Sequence, residues 1–497
     1  MSQRHEPLPS AIAFIESEHT LMIDNTWVES TSGRKIVVTD PATGDMIGQF
    51  CEGCAADVDR AVNAARSAFD HGRWRQMSAA ERGKLIWTLA DLIERNAEEL
   101  VHIEIMDNGM PMAFAEAMIS WCSNWLRHFA GMADKVFGRN ASSMVSAEGV
   151  DIHAYTASEP VGVAGLIVPW NAPSGTMIIK LAPALAAGCT VVIKPDENTS
   201  MASLRIMQLA IEAGFPAGVI NMVTGNGPEV GAAMAAHPGI DKISFTGSTE
   251  VGKSIIQAAS GNLKRVTLEL GGKSPVIVFD DADIEQAIPA ISMAIFGNTG
   301  QVCFAGSRLF VQRGIYDRVL DGVRAFAESL QIGSGFDERN LIGPLISEKQ
   351  MRRVAGYIDM GVAQGAEVIS GGNRMGDRGY FMQPTIFANA GSDSRIVREE
   401  IFGPVLVATP FDDVDVAINM ANDTRYGLGA GVFSKNVANV HRTAARLQAG
   451  NVWVNCYGMT HATMPFGGYK ESGWGREMGQ EGLDAYLEKK SVFVQLD

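Results

Sequence analysis

The chain has 497 residues, 46% of them hydrophobic and 20% charged, with 53 glycines, 19 prolines and a formal net charge of −15. That balance belongs to an ordinary globular protein long enough for two or three domains, and it excludes a disordered chain. The acidic excess argues against sequence-independent nucleic-acid binding, which needs a basic face to displace counterions.

The first stretch, MSQRHEPLPSAIAFIESEH, mixes charges and prolines among its apolar residues, so no signal peptide is read and a cytoplasmic location is expected. The longest apolar runs, such as LAPALAAGCTVVI (181–193), are too short and too interrupted by Pro and Gly to cross a bilayer. Six cysteines, at 51, 54, 122, 189, 303 and 456, do not make a disulfide framework in so long a chain, and reduced thiols are expected. Cys51 and Cys54 form a CxxC, but no second pair or nearby His completes a zinc site, and no metal is expected.

From about residue 55 to 135 the pattern predicts amphipathic helices, for example DVDRAVNAARSAF and AAERGKLIWTLADLIERNAEELVHI. DIHAYTASEP (151–160) then alternates like a strand, as does SVFVQLD at the C-terminus; either could be an edge strand that pairs with another subunit. Next come VGVAGLIVPW (161–170), a helix through Lys180 to Ala187 closed by Gly188, CTVVIKP (189–195) and the helix SMASLRIMQLAIEAG. Strand, helix, strand in this form is a parallel βαβ unit. The alternation continues through VINMVTG (219–225), DKISFTG (241–247), a helix from Ser248, and RVTLELGG (265–272). A second α/β run starts at PVIVFDDADIEQAI and continues past GYFMQPTIF and GPVLVATPF to about residue 470. The predicted fold is therefore α/β, with two doubly wound Rossmann-like domains that meet near residue 270.

Three segments could hold a nucleotide. VTGNGPEVG places Gly225, Gly227 and Gly231 after a strand, but its last spacing is one residue longer than the dinucleotide fingerprint and no acidic residue closes the next strand. A plain glycine turn is the competing reading. FTGSTEVGK puts Gly247, Ser248 and Thr249 at a helix N-terminus, where free N–H groups and the helix dipole suit a pyrophosphate. IKPDEN sets Lys194 and Glu197 at a strand's carboxyl end; a carboxylate there accepts ribose hydroxyls and repels a 2′-phosphate, favouring NAD over NADP.

The chemistry has candidates too. Cys303, in FGNTGQVCFAGSR, is a nucleophile or a small buried side chain, and Gly300 and Gly306 around it show only that backbone comes close. Asn171 is an oxyanion donor or a turn residue ahead of Pro173. Glu269 ends the apolar LELGG strand, where desolvation would raise its pKa toward that of a general base; an ion-pair partner is the alternative.

PWNAP, KPDE, FTGSTEVG, LELGGKSP, GQVCFAGSR, EEIFGP and NVWVNCY…PFGGYKESGWGRE occur in that order, and together they resemble the aldehyde dehydrogenase superfamily from about residue 25 to the end. The resemblance implies that Cys303 attacks an aldehyde, Asn171 and the Cys303 N–H hold the oxyanion, and Glu269 activates the water that releases a thioester. It implies a proton path through Lys180 and Glu477. For NAD it implies Ile167, Pro169, Trp170, Lys194, Glu197, Gly227, Gly247, Ser248, Val251, Leu270 and Gly271, with Glu400 and Phe402 at the nicotinamide ribose and ring. Glu399 and Glu400, being adjacent, are expected to face opposite sides, one toward solvent.

For the substrate the resemblance points to Ala172, Thr176 and Ile179 on one helix, Val302 and Phe304 beside the nucleophile, and Thr460 and Phe466 opposite. These are small, aliphatic or aromatic and lack a cage for a quaternary ammonium or a cation for a second carboxylate. An aromatic or medium-chain aliphatic aldehyde is expected, and betaine aldehyde and succinate semialdehyde are disfavoured. The alternatives are a CoA-acylating semialdehyde dehydrogenase, a thiol esterase, or a non-catalytic binding module; the presence of Glu269 tells against the first. The expected division is an NAD-binding domain at 1–138 and 159–271, a catalytic domain at 272–475, and a small β oligomerisation element at 139–158 and 476–497. A homodimer or homotetramer is implied.

Overall fold

Runs of β-branched and small residues buried on both faces favour parallel strands, and the chain uses them twice. In the computed structural model, which describes residues 5–141, 144–145 and 149–496, the first sheet runs Ile220–Met222, Thr190–Lys194, Val163–Ile167, Lys242–Thr246, Arg265–Glu269, all parallel. Relative to chain order, this sequence of strands reverses between Val163–Ile167 and Lys242–Thr246, and a crevice opens outside the carboxyl ends of such a pair. Leu21–Ile23 adds antiparallel on one side, and Gly473–Trp474 on the other, against Leu268 and Glu269. Residues 473–474, within the stretch expected to be catalytic, therefore extend the first sheet.

The second sheet has the order Glu367–Ser370, Thr385–Ala388, Val405–Phe411, Arg308–Gln312, Pro275–Val278, Gly429–Phe433, Asn451–Val454, parallel except for its first pair. Helices Ile284–Phe296 and Tyr316–Ser329 cover it, burying Ile291, Val319 and Val323 against Val276, Leu309 and Val311. Only residues 270–274 separate the last parallel strand of the first sheet from the first strand of the second.

The expected helical layer is present as Ala55–Asp70, Ala79–Arg95, Ala97–Asn108 and Met112–Met132. The second of these begins with a capping box: Ser78 Oγ accepts from the Glu81 N–H at 3.3 Å, and Glu81 Oε2 accepts from the Ser78 N–H at 2.8 Å.

Asp151–Pro160 pairs antiparallel with Leu487–Gln495, in register from Pro160 opposite Leu487 to Ile152 opposite Gln495, and Met144–Val145 flanks it. The two segments read as partners for another subunit thus pair with each other, because both carry the same alternation. Parts of the expected domains, residues 1–4, 142–143, 146–148 and 497, lie outside the described residues. Among the described residues no helix is long and apolar enough to cross a membrane.

Candidate active site

The first strand of the parallel sheet ends at Ile167, and the chain then runs past Pro169, Trp170 and Asn171 into the helix Pro173–Ala187. Proline opens this helix, where its fixed φ fits and its missing N–H costs nothing. The Cys303 loop meets Asn171 from the other sheet. Ahead of it Asn298 and Thr299 hold φ of 48° and 57°, an unusual conformation for a β-branched residue. Side chains hold the turn in place: Asn298 Nδ2 donates to the Asn171 carbonyl at 3.1 Å and Thr299 Oγ1 to the Gly343 carbonyl at 2.9 Å. In return Asn171 Nδ2 donates to the Gln301 carbonyl at 2.8 Å. One amide hydrogen is committed to the Cys303 loop, and the other is left for a ligand.

Cys303, Asn171 and Glu269 line one cavity of about 310 Å³ at the crevice. Burial, then the charges of Glu400 and Glu269, push the Cys303 thiol well above its usual range, while the N–H groups of Phe304 and Cys303 oppose the shift. Glu269 is 3% exposed and neither of its carboxyl oxygens has a hydrogen-bond partner. Burial first, and Glu477 second, hold its pKa far above the carboxylate range; Lys180 and Arg476 pull it down. Glu269 is therefore not an ion-pair partner.

Lys180, an ordinary helix lysine to the eye, is fully buried and forms a salt bridge to Glu477. Ser244 completes the group, accepting from Lys180 Nζ at 3.2 Å and donating to Glu477 Oε1 at 3.0 Å. Sequence reading missed Ser244: it sits in the strand Lys242–Thr246, and no local signal marks its contact with residues 64 and 233 positions away.

Of the residues expected at NAD, Pro169, Trp170, Gly247, Ser248, Leu270, Gly271, Glu400 and Phe402 line the same cavity. A Cβ on Gly271 would stand 2.1 Å from Glu400 Oε2, so only glycine lets that carboxyl in. Glu400 Oε1 accepts from the Gly272 N–H at 3.0 Å, and burial raises its pKa to about 7. Its neighbour Glu399 faces Arg395 and the Tyr357 hydroxyl instead; the Arg395 fork, at 2.6 and 2.8 Å, holds it down at about 2. Glu399 is thus the carboxyl on the solvent side, 34% exposed and paired there with Arg395.

The backbone of this segment is fastened by two residues that sequence reading overlooked. Gln350 donates to the Phe402 carbonyl at 2.8 Å and Arg353 to that of Glu400 at 2.9 Å. Phe402 has a φ of 62°, and its ring meets that of Trp170 edge-on at 5.1 Å.

The other cofactor candidates do not line the cavity. Ile167 is buried in the sheet core, and Val251 is exposed with its N–H on Ser248 Oγ at 3.3 Å. Lys194 Nζ reaches Glu197 Oε2 at 3.2 Å and the Pro195 carbonyl at 2.9 Å. Gly227 opens a π-turn, Gly227–Gly231, which takes up the residue by which VTGNGPEVG exceeds the fingerprint. A dinucleotide fits this surface on two counts. Thr246 Oγ1 lies buried in the cavity wall without a partner, and Ser248 caps the eleven-residue helix Thr249–Ala259, whose N-terminus faces the cavity.

Ala172, Thr176 and Ile179 are the partly exposed positions on a helix whose other faces are buried. Phe304 packs with Phe466, Trp453 and Tyr457, ring centroids 5.8, 5.4 and 6.5 Å away. The last two were not singled out in NVWVNCY, although both stand there. Val302 packs against the core of the second sheet and lines a small void with Ile295 and Val405, so of the two neighbours of Cys303 only Phe304 joins the aromatic group. Thr460 is partly exposed on the loop that carries Phe466. Cys51 and Cys54 bond separately, to Glu29 and Thr31, each at 3.1 Å.

Comparison with known proteins bears on the family and the fold. The model of the aldehyde dehydrogenase family matches residues 27–492. An aldehyde dehydrogenase of Enchytraeus buchholzi is 46% identical over 98% of both chains, and the human mitochondrial aldehyde dehydrogenase is 46% identical over 96% of this chain and 92% of its own. An aldehyde dehydrogenase from Bacillus cereus, solved as its NAD+ complex, superposes with a TM-score of 0.97 at 45% identity, covering all of both chains. With the family model spanning nearly its whole length and relatives this close, the chain belongs to the aldehyde dehydrogenase family.

Proposed function

We propose that the protein oxidises an aldehyde to the carboxylic acid with NAD, through a thioester on Cys303. The reading is carried by one observation: the Cys303 thiol, the Asn171 amide and an unpartnered Glu269 carboxyl converge on one cavity. The thiol gives up its proton to solvent, and the freed sulfur bonds the carbonyl carbon. The resulting oxyanion accepts hydrogen bonds from the free Asn171 Nδ2–H and from the Cys303 N–H. The chemistry that NAD supplies when bound is acceptance of hydride from that carbon, which leaves the thioester. Glu269 then takes a proton from water, whose oxygen adds to the thioester carbon; the C–S bond breaks, and acid and thiolate separate. A bridging water would link Glu269 to Lys180, Ser244 and Glu477, which would relay its proton. Thr246, Ser248 and Glu400 would hold the cofactor, and Glu197 at its ribose favours NAD over NADP.

A general base in place speaks for water, not CoA, as acyl acceptor. The aromatic group of Phe304, Phe466, Trp453 and Tyr457, with small residues at Ala172 and Thr176, supports an aromatic or medium-chain aliphatic aldehyde as substrate. The same reading makes the protein a cytoplasmic homo-oligomer; Phe493 and Val494, 64% and 41% exposed on Leu487–Gln495, support an interface there. Cys303→Ala is expected to abolish aldehyde-dependent NADH formation, and persistent turnover would overturn the mechanism. A kcat/KM panel over aromatic, aliphatic, charged and amino aldehydes tests the substrate class; a charged aldehyde ranking first would overturn it.

A further inference from the structure

The helix Ala97–Asn108 lines no part of the active-site cavity, yet its last two turns bury Glu104 and Asp107 completely and leave Asn108 2% exposed. Buried polar groups cost free energy unless bonded, so their partners are informative. Each partner lies in a segment that follows a strand end at the crevice. Glu104 Oε1 accepts from the Ser174 N–H at 3.2 Å, in the first turn of the helix that follows Asn171. Asp107 Oδ2 accepts from the Met201 N–H at 2.8 Å, where the helix after Lys194 and Glu197 begins. Asn108 Nδ2 donates to the Trp170 carbonyl at 2.6 Å, and Thr199 Oγ1 reaches the same oxygen at 3.3 Å.

The Trp170 carbonyl belongs to the peptide on the N-terminal side of the Asn171 Cα. The peptide on its other side carries the Asn171 carbonyl, which Asn298 holds from the Cys303 loop at 3.1 Å. Both peptide planes around Asn171 are therefore held by side-chain amides, one from the helical layer and one from the nucleophile's own turn. With its backbone dihedrals fixed, Asn171 can send its amide in few directions.

We propose that Asn108 is a positioning residue for the oxyanion donor: by holding the Trp170 carbonyl it sets the plane from which Asn171 presents its amide to the adduct on Cys303. The inference rests on the reading of Asn171 as that donor. A reacting or stabilising group displaced by about 1 Å can lose about a hundredfold in rate. Thr199 still holds the carbonyl when Asn108 is cut back, so a loss of about tenfold is expected.

The test is a double-mutant cycle on the full-length enzyme, read as the rate constant for NADH formation in the first turnover at saturating NAD and aldehyde. Asn171→Ala alone should slow that step by about a hundredfold or more. Asn108→Ala should slow it about tenfold when Asn171 is intact and less than about twofold in the Asn171→Ala background, because it acts only through that amide. Thr199→Val, which leaves the helix intact, should show the same pattern at smaller amplitude and keeps the test open if Asn108→Ala folds poorly. Equal slowing by Asn108→Ala in both backgrounds, or none in either, overturns the proposal. A first turnover undiminished in Asn171→Ala overturns the donor reading itself, a result distinct from the other two.

Discussion

Replacing Lys180 by Met keeps the apolar stem and removes the ammonium. Two consequences follow from its surroundings. Glu477, 7% exposed, loses its cation and keeps only Ser244 as a side-chain partner, a rupture that costs about 3–5 kcal/mol in comparable buried pairs. The second consequence falls on Glu269. Lys180 is the larger of the two cations that lower its pKa, and Glu477 is the anion that raises it. Removing the cation while leaving the anion drives the proton more tightly onto Glu269. Glu269 serves as a base only when ionised, so its working fraction grows with pH, and in the variant that growth begins higher. The assay is steady-state turnover against pH, set beside the amplitude of the first-turnover burst. At pH 7 turnover should fall with the burst retained, and should recover as pH rises. Lys180→Arg, which restores the charge, should move the profile back. A rising limb that stays in place or shifts to lower pH in Lys180→Met would refute this account of the buried group.

Three further perturbations probe other parts of the site. Glu269→Gln should leave one burst of NADH per active site and slow steady-state turnover at least about a hundredfold, the contribution typical of a general base; an unchanged steady state would remove Glu269 as base. Gly271→Ala places a Cβ 2.1 Å from Glu400 Oε2 and should raise the KM for NAD about tenfold by displacing that carboxyl, with the KM for aldehyde nearly constant; steady-state kinetics in both substrates decide it. Glu104→Gln tests the buried carboxyl whose pKa burial raises from 4.5 to about 7. The folded protein keeps that proton where the unfolded chain has released it, so the stability Glu104 lends below pH 4.5 disappears as pH climbs to about 7. Gln does not titrate; urea midpoints of variant and parent should diverge across that window in the variant's favour, by up to about 3 kcal/mol, and parallel curves would refute it.

The parallel sheets were legible because doubly buried strands are written as nearly unbroken aliphatic runs, such as VAGLI and TVVIK, separated by amphipathic helices. The cofactor end of the site followed from a general rule about the carboxyl ends of such strands. Cys303 and Glu400 obey no such rule: they lie just before Arg308 and Val405, at the amino ends of the second sheet, and local chemistry left Cys303 undecided. Glu269 stood out as a lone acid in an apolar strand, whereas Lys180 and Ser244 did not, because a helix lysine and a strand serine are unremarkable until burial is known. Val302 and Phe304 show the limit of adjacency: two residues flanking one nucleophile pack into different surroundings, Val302 with the second sheet and Phe304 with three rings from a later strand and loop.

Glu269 ends a strand of the first sheet and Cys303 precedes a strand of the second, and the chain passes between the sheets twice, through residues 270–274 and again through 455–472. The separation between Glu269 and Cys303 is accordingly set by how the two sheets sit against each other, and the Asn171 amide, bonded to the Gln301 carbonyl, ties the Cys303 loop to the first sheet's strand end across the gap. On the proposed mechanism, acylation and release then share the register of that seam, alongside the reactivity of each side chain.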